Sequence, residues 1–146
     1  MANDTVLLRC PACKTVNRVP VRKLGDLPRC GKCRALLEFP GAPVAVTASG
    51  FAEEILQWPG AVLAEFWSPT CGVCRSLEPD IYALARRRSG RLKVATINVL
   101  QESSLANRFQ IRAVPLFLLY RHGIKVGEMK GGLPKAQLEA WIDSLL

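Results

Sequence analysis

Long apolar runs are missing from this chain. The longest, Ala113 to Tyr120, has strand length and falls far short of the ~18 residues that cross a bilayer, so no membrane partner is expected. The first residues, Met1-Ala2-Asn3-Asp4-Thr5, lack the basic stretch and apolar stretch of a secretory leader. Internal repeats and low-complexity tracts are absent too. Histidine is almost absent: His122 is the only one among 146 residues, and it falls in a turn-like segment away from every cysteine pair. Disorder is excluded, because 49% of the residues are hydrophobic, as in an ordinary globular protein. A chain of this length suits one medium domain with a small appendage. With no leader, the expected location is a reducing cytoplasm, where cysteines serve as thiols, ligands or catalysts rather than structural disulfides.

What the chain does have is six cysteines, all in C-x-x-C pairs. Cys10/Cys13 and Cys30/Cys33 lie in a basic N-terminal segment, with sixteen residues between Cys13 and Cys30. That spacing falls in the window of a Cys₄ zinc site, each pair forming one knuckle with Pro11 and Gly31 shaping the turns. Forty residues bury little core, so a single zinc ion held by Cys10, Cys13, Cys30 and Cys33 would supply most of this segment's folding energy. Val16, Val19, Leu24, Leu36 and Phe39 are the apolar residues expected beneath it. Iron at the same four sulfurs fits the spacing as well.

The net charge of +8 is uneven: residues 1–40 hold eight Lys/Arg against three Asp/Glu, the remainder twelve against nine. Four thiolates around a divalent ion remove about two charges from the first segment. The basic run Arg86-Arg87-Arg88 falls at a helix end before Ser89-Gly90, where dipole compensation accounts for it, and nucleic acid is not the expected partner.

Pro40-Gly41-Ala42-Pro43 reads as a linker between a unit at 1–40 and a unit at 41–146. Beyond it a strand is expected at Val44–Val46, then a helix capped by Ser49 and running to about Gln57. A nearly continuous apolar strand follows at Ala61–Phe66. Next come a helix from Cys71 to Arg88, a strand at Leu92–Val99 and a helix at Ser103–Phe109. A hairpin of Leu116–Tyr120 and Ile124–Met129 precedes a last helix opening near Pro134. Alternation ending in a hairpin gives an α/β unit: a mixed sheet flanked by helices.

The third pair, Cys71/Cys74, stands where the apolar strand passes into a helix. Free N–H groups and the helix dipole favour a thiolate there, and a thiol three residues on can attack a mixed disulfide formed at the first. One pair is one short of a Cys₄ site, so dithiol redox chemistry is the expected use.

With these residues in view, the chain resembles the thioredoxins, and among them the bacterial second type that carries an N-terminal zinc ribbon. The likeness rests on the paired knuckles, Phe66-Trp67 through Cys71-Gly72-Val73-Cys74, Ile111-Arg112-Ala113-Val114-Pro115, and Gly131-Gly132-Leu133. It implies a thioredoxin fold preceded by a zinc ribbon, and a monomeric protein-disulfide reductase. Its targets would be disulfide-containing proteins, and an NADPH-dependent thioredoxin reductase would recharge it. Cys71 matches the nucleophile, Cys74 the resolving thiol and Glu65 the buried acid that handles the resolving thiol's proton. Desolvation is expected to raise the Glu65 pKa. Pro115 matches a cis-proline opposite the redox pair. Val114 would pair its backbone with an extended target, and Gly131 would leave room on the groove's rim. Trp67 would pack beside the loop, and Pro79 would bend the helix.

The sequence departs from the family in four places, the first being Glu65, where an aspartate is usual. Thr70 stands before the nucleophile where a tryptophan is usual, and Gly72-Val73 replaces Gly-Pro between the cysteines. Thr96 aligns with the lysine that usually neighbours the buried acid. An isomerase or oxidant, a redox-regulated chaperone or sensor in which zinc leaves on oxidation, and a nucleic-acid-binding ribbon fused to a redox sensor remain as alternatives.

Overall fold

The computed structural model describes residues 5–146; the first four residues, on which the reading of no leader rests, lie outside them. The chain starts with an antiparallel pair, β1 (Thr5–Arg9) and β2 (Val16–Pro20), followed by a 3₁₀ turn at Val21–Asp26. The first knuckle closes the hairpin, with Cys10 N bonded to Thr15 O at 2.8 Å and Lys14 N to Cys10 O at 3.0 Å. The second repeats it: Cys30 N bonds Ala35 O at 2.8 Å, and Arg34 N bonds Cys30 O at 3.0 Å. Lys14 and Arg34 take positive φ, 67° and 68°, at equivalent positions. Both knuckles spend the same backbone strain to turn their sulfurs inward.

Beneath the knuckles pack Leu8, Val19 and Leu37, with Leu24 and Phe39 at the margin. Two residues expected there behave otherwise. Val16 is 42% exposed, because it is three positions from Val19 on one strand and so faces the other side. Leu37, not Leu36, is buried: Leu36 forms a bridge to Arg29, and adjacent side chains in extended chain point to opposite faces.

Past 40–43 the chain builds a five-stranded sheet from β3 (Val44–Ala45), β4 (Ala61–Trp67), β5 (Leu92–Asn98), β6 (Leu116–Arg121) and β7 (Ile124–Lys130), in the order β3-β5-β4-β6-β7. β4 is central, parallel to β5 and antiparallel to β6, which explains its apolar run. The helices are α1 (Gly72–Arg87), α2 (Ser103–Arg108) and α3 (Lys135–Leu145). Leu77, Ile81 and Leu84 of α1 join Leu138 and Ile142 of α3 on one face of the sheet. Phe51, Ile55 and Leu105 cover the other.

The helix expected from Ser49 is shorter than read. It is a wide turn at Ala52–Leu56, closed by Gln57 N to Ala52 O at 2.7 Å. Ser49 does not cap it. The Gly50 amide bonds Thr47 Oγ1 at 3.2 Å, while Ser49 Oγ pairs with Thr47 Oγ1 at 3.1 Å. Thr47 therefore turns the chain before the helical residues begin.

The ribbon rests on this second unit. Arg9 Nη2 donates to Gln57 O at 2.8 Å, Lys14 pairs with Glu53 at 2.8 Å, and Phe39 meets Trp58 edge-on at 5.9 Å. Gly90, at φ 93°, lets Leu24 approach; a Cβ there would lie 2.4 Å from Leu24 Cδ1.

Candidate functional site

β4 ends at Trp67, and Ser68 starts the turn to the redox pair. Cys71 N bonds Ser68 O at 3.1 Å, the Thr70 amide bonds Ser68 Oγ at 3.2 Å, and the Ser68 and Thr70 hydroxyls lie 2.8 Å apart. Thr70 is exposed, so the place before the nucleophile is open. Cys71 is the N-cap of α1, and its Sγ accepts from Cys74 N at 3.1 Å. Cys71 is half-buried and Cys74 only 4% exposed; the two are joined as a disulfide with Cα atoms 5.3 Å apart. Solvent and partners therefore meet Cys71 first.

Gly72 is exposed with open space where a Cβ would stand, and Val73 is 53% exposed. Val73 leans toward Gly132, where a Cβ would lie 2.7 Å from Val73 Cγ1. Pro79 lies inside α1, so the Arg75 carbonyl lacks its usual amide donor.

The Val114–Pro115 peptide is cis, and Cys71 Sγ lies 3.6 Å from Val114 O. Val114 and Pro115 line an open groove of about 440 Å³ with Arg112, Lys130 and Gly131. Gly131 has φ 82° and open space where a side chain would stand, and its amide bonds Pro115 O at 2.9 Å. Cys71, Val114, Pro115 and Gly131 thus come from three separated segments to one end of β4, β6 and β7.

Glu65 sits in the middle of β4, 5% exposed, between Thr96 on β5 and Phe117 on β6. Its Oε2 has no hydrogen-bond partner among the described residues. Burial pushes its pKa up to about 7, and the nearby Glu78 carboxylate adds to the rise. Trp67, Cys74 and Glu65 line one cavity beneath the disulfide.

Residues 42–144 match the family model described as thioredoxin. The chain belongs to the thioredoxin family. Residues 9–35 match a second model, described as the N-terminal part of thioredoxin 2. Thioredoxin 1 of Nostoc sp. strain PCC 7120 is 32% identical over 105 residues, covering 72% of this chain and 98% of that protein. Thioredoxin 1 of Synechococcus elongatus is 33% identical over 102 residues, 70% of this chain and 95% of its own length. Thioredoxin C-3 of Corynebacterium nephridii is 28% identical over 141 residues, 97% of this chain and 96% of its own. The mixed sheet and its helices are the thioredoxin fold, preceded by a zinc-ribbon unit with clustered cysteines. The chain is a thiol–disulfide oxidoreductase of this family. Among the described residues, no helix is long and apolar enough to cross a membrane.

The ribbon's four sulfurs lie within 4.8 Å of one another, with Cys10–Cys33 at 3.5 Å and Cys13–Cys30 at 3.6 Å. Tetrahedral thiolates about 2.3 Å from one ion would stand roughly 3.8 Å apart, so the cluster fits a metal. Amides of Ala12 and Cys13 point at Cys10 Sγ, at 3.4 and 3.5 Å, and that of Lys32 points at Cys30 Sγ, at 3.4 Å. The Asn17 amide reaches Cys30 Sγ at 3.5 Å, and its Oδ1 accepts from Gly31 N at 2.9 Å. The Cys30 thiol is held down to about 6 by the Cys33 backbone amide and the Asn17 side chain. At Cys30 these donors favour thiolate, the form that binds metal.

Three contributors escaped the sequence reading. Asn17 carries one sequence signal, its place four residues past Cys13 of the first knuckle. Glu78 carries one signal, its place one helical turn past Cys74. Lys93 lay inside an apolar strand, the same anomaly that marked Glu65. It is 1% exposed, with Nζ bonded to Glu54 Oε2 at 2.5 Å and Glu54 O at 2.9 Å and lying 3.9 Å from the Trp58 ring centroid. The Arg86–Arg88 run is largely spent on ion pairs: Arg87 with Glu139 at 2.6 Å, and Arg88 with Asp143 at 2.6 Å. His122 is exposed and contacts Pro59 O through Nδ1 at 2.9 Å.

Proposed function

We propose that the chain is a protein-disulfide reductase acting through Cys71-Gly72-Val73-Cys74, with disulfide-containing proteins as substrates and a thioredoxin reductase as its source of electrons. The observation that carries this is the pairing of a half-exposed Cys71 at a helix N-terminus with a buried Cys74, beside the groove of Val114, Pro115 and Gly131. In the reduced protein, the N-terminal amides of α1 stabilise Cys71 as thiolate. It attacks one sulfur of a target disulfide, forming a mixed disulfide and releasing the target's other sulfur as thiolate. The target strand would lie against the Val114 backbone, with Trp67, Thr70, Gly72, Val73 and Gly131 bounding it. Glu65 takes the proton of Cys74, whose sulfur then attacks Cys71 and frees the second target thiol. Thr70 in place of a large aromatic widens the approach to Cys71. Val73 keeps a backbone N–H that proline would lack.

The ribbon, assigned to residues 1–40 against a catalytic unit at 41–146, takes one structural zinc ion through Cys10, Cys13, Cys30 and Cys33. Bound there, the ion cross-links the two knuckles. The sulfur-donor set and the inward amides support this reading. The proposed site of action is the reducing cytoplasm.

Trapping tests the order of events. Cys74→Ser should hold targets as mixed disulfides through Cys71, visible on non-reducing gels and released by dithiothreitol. Equal trapping by Cys71→Ser would reverse the roles of the two cysteines.

A further inference from the structure

The cavity beneath the disulfide, about 310 Å³, runs from buried to exposed residues. Glu65, Cys74, Arg75, Glu78, Tyr82 and Thr96 line it; the first two are buried, while Arg75, Glu78 and Tyr82 are exposed. Glu65 Oε2 lacks a protein partner here, and the cavity that it lines reaches exposed Arg75, Glu78 and Tyr82, so a proton on this carboxyl has a route toward solvent. Thr96 and Phe117, its register neighbours on either side, carry no charge. The facing groups that do are on α1: Arg75, Glu78 and the titratable Cys74 and Tyr82. A cation at position 96 would hold the carboxyl ionised; this chain instead sets a second carboxylate at the cavity wall.

We propose that Glu78 is a positioning residue for the resolving step, its charge fixing through this cavity the pH at which Glu65 moves a proton between Cys74 and solvent. The proposal rests on the reading of Glu65 as the proton acceptor. Ionised Glu65 takes the proton from the Cys74 thiol. The Cys74 thiolate attacks Cys71 Sγ of the mixed disulfide, forming the Cys71–Cys74 bond and breaking the Cys71–target bond. The electron pair leaves on the target sulfur, which is protonated to a thiol. Glu65 then loses its proton to water in the cavity. The target gains two electrons from the enzyme's dithiol and takes its two protons from water, to which Cys71 and, through Glu65, Cys74 have released theirs. Like-charge repulsion between Glu78 and Glu65 makes Glu65 hold its proton to higher pH, and the rise due to Glu78 supports this sense.

The test follows the Glu65 carboxyl carbon by ¹³C NMR against pH in the oxidised protein, together with the pH profile of the resolving step measured by stopped flow. Glu78 is exposed, so Glu78→Gln and Glu78→Lys are expected to fold. Both midpoints should move to lower pH in Glu78→Gln and further in Glu78→Lys. Unchanged midpoints in both variants would overturn the role of Glu78. Glu65→Gln separates the two readings. If it slows resolution while the Glu78 variants leave the midpoints in place, only the Glu78 proposal fails. If it leaves resolution untouched, the relay itself fails, and the Glu78 role with it.

Discussion

Cys71 and Cys74 share a bond but not an environment, and the roles proposed for them rest on that difference. Cys71 caps a helix with its sulfur half-exposed, whereas Cys74 is turned inward toward Glu65. Glu65 itself is costly: an unpartnered carboxyl in the central strand persists only with its proton on, or with a task. Its folded-state pKa, raised to about 7, lies above the value in the unfolded chain, so the folded state binds the extra proton between the two. Stability from this group is therefore greatest in mild acid and falls as pH rises toward about 7, by up to about 3 kcal/mol. Glu65→Gln should flatten that fall: denaturant titrations of the oxidised variant should show it gaining on the parent above neutral pH. A variant with the parent's pH dependence would place the titration elsewhere.

At the scale of elements, the sequence carried most of the architecture. The apolar run of β4 and the periodicities of α1 and α3 were legible because each buries a continuous face, and the cysteine spacing marked both knuckles and the turn into α1. What was not legible came from local competition. Ser49 had the right chemistry for a cap, but Thr47 two residues earlier turned the chain first. Val16 and Leu36 were apolar, yet strand parity exposed Val16 and left Leu36 half-buried. The positions of Val114 and Gly131 beside Cys71 could be had only from the family likeness, because they join segments far apart in sequence.

Lys93 on β5 makes an element-scale prediction. Its ammonium is desolvated, which lowers its pKa, and it is offset by Glu54 and the Trp58 ring. Removing the partner strands a buried charge, so Glu54→Ala should cost about 2 kcal/mol, tempered by the partial exposure of Glu54. Lys93→Met, which removes the charge and keeps the volume, should be near neutral or stabilising. Urea denaturation of the two variants checks the contrast; equal losses would mean that packing of the lysine stem dominates.

For the whole molecule, the ribbon sits on the second unit through Arg9, Lys14, Phe39 and Leu24, against Gln57, Glu53, Trp58 and Gly90. Its own core is small: Leu8, Val19 and Leu37 with two buried sulfurs. Removing the metal should therefore unfold the ribbon and release this contact while the five-stranded sheet keeps its two-sided core. Chelation should change tryptophan fluorescence as Phe39 leaves Trp58, and open Arg18 and Lys23 to trypsin, with residues 42–144 remaining resistant. Protection of the ribbon after the metal has left would show that docking alone holds it.

The most direct test of the central claim is NADPH oxidation with thioredoxin reductase and insulin, comparing the intact, zinc-loaded protein with Cys71→Ser. A disulfide reductase with Cys71 as nucleophile predicts steady turnover in the first and none in the second. No turnover by the intact protein, or equal turnover by the variant, would contradict it.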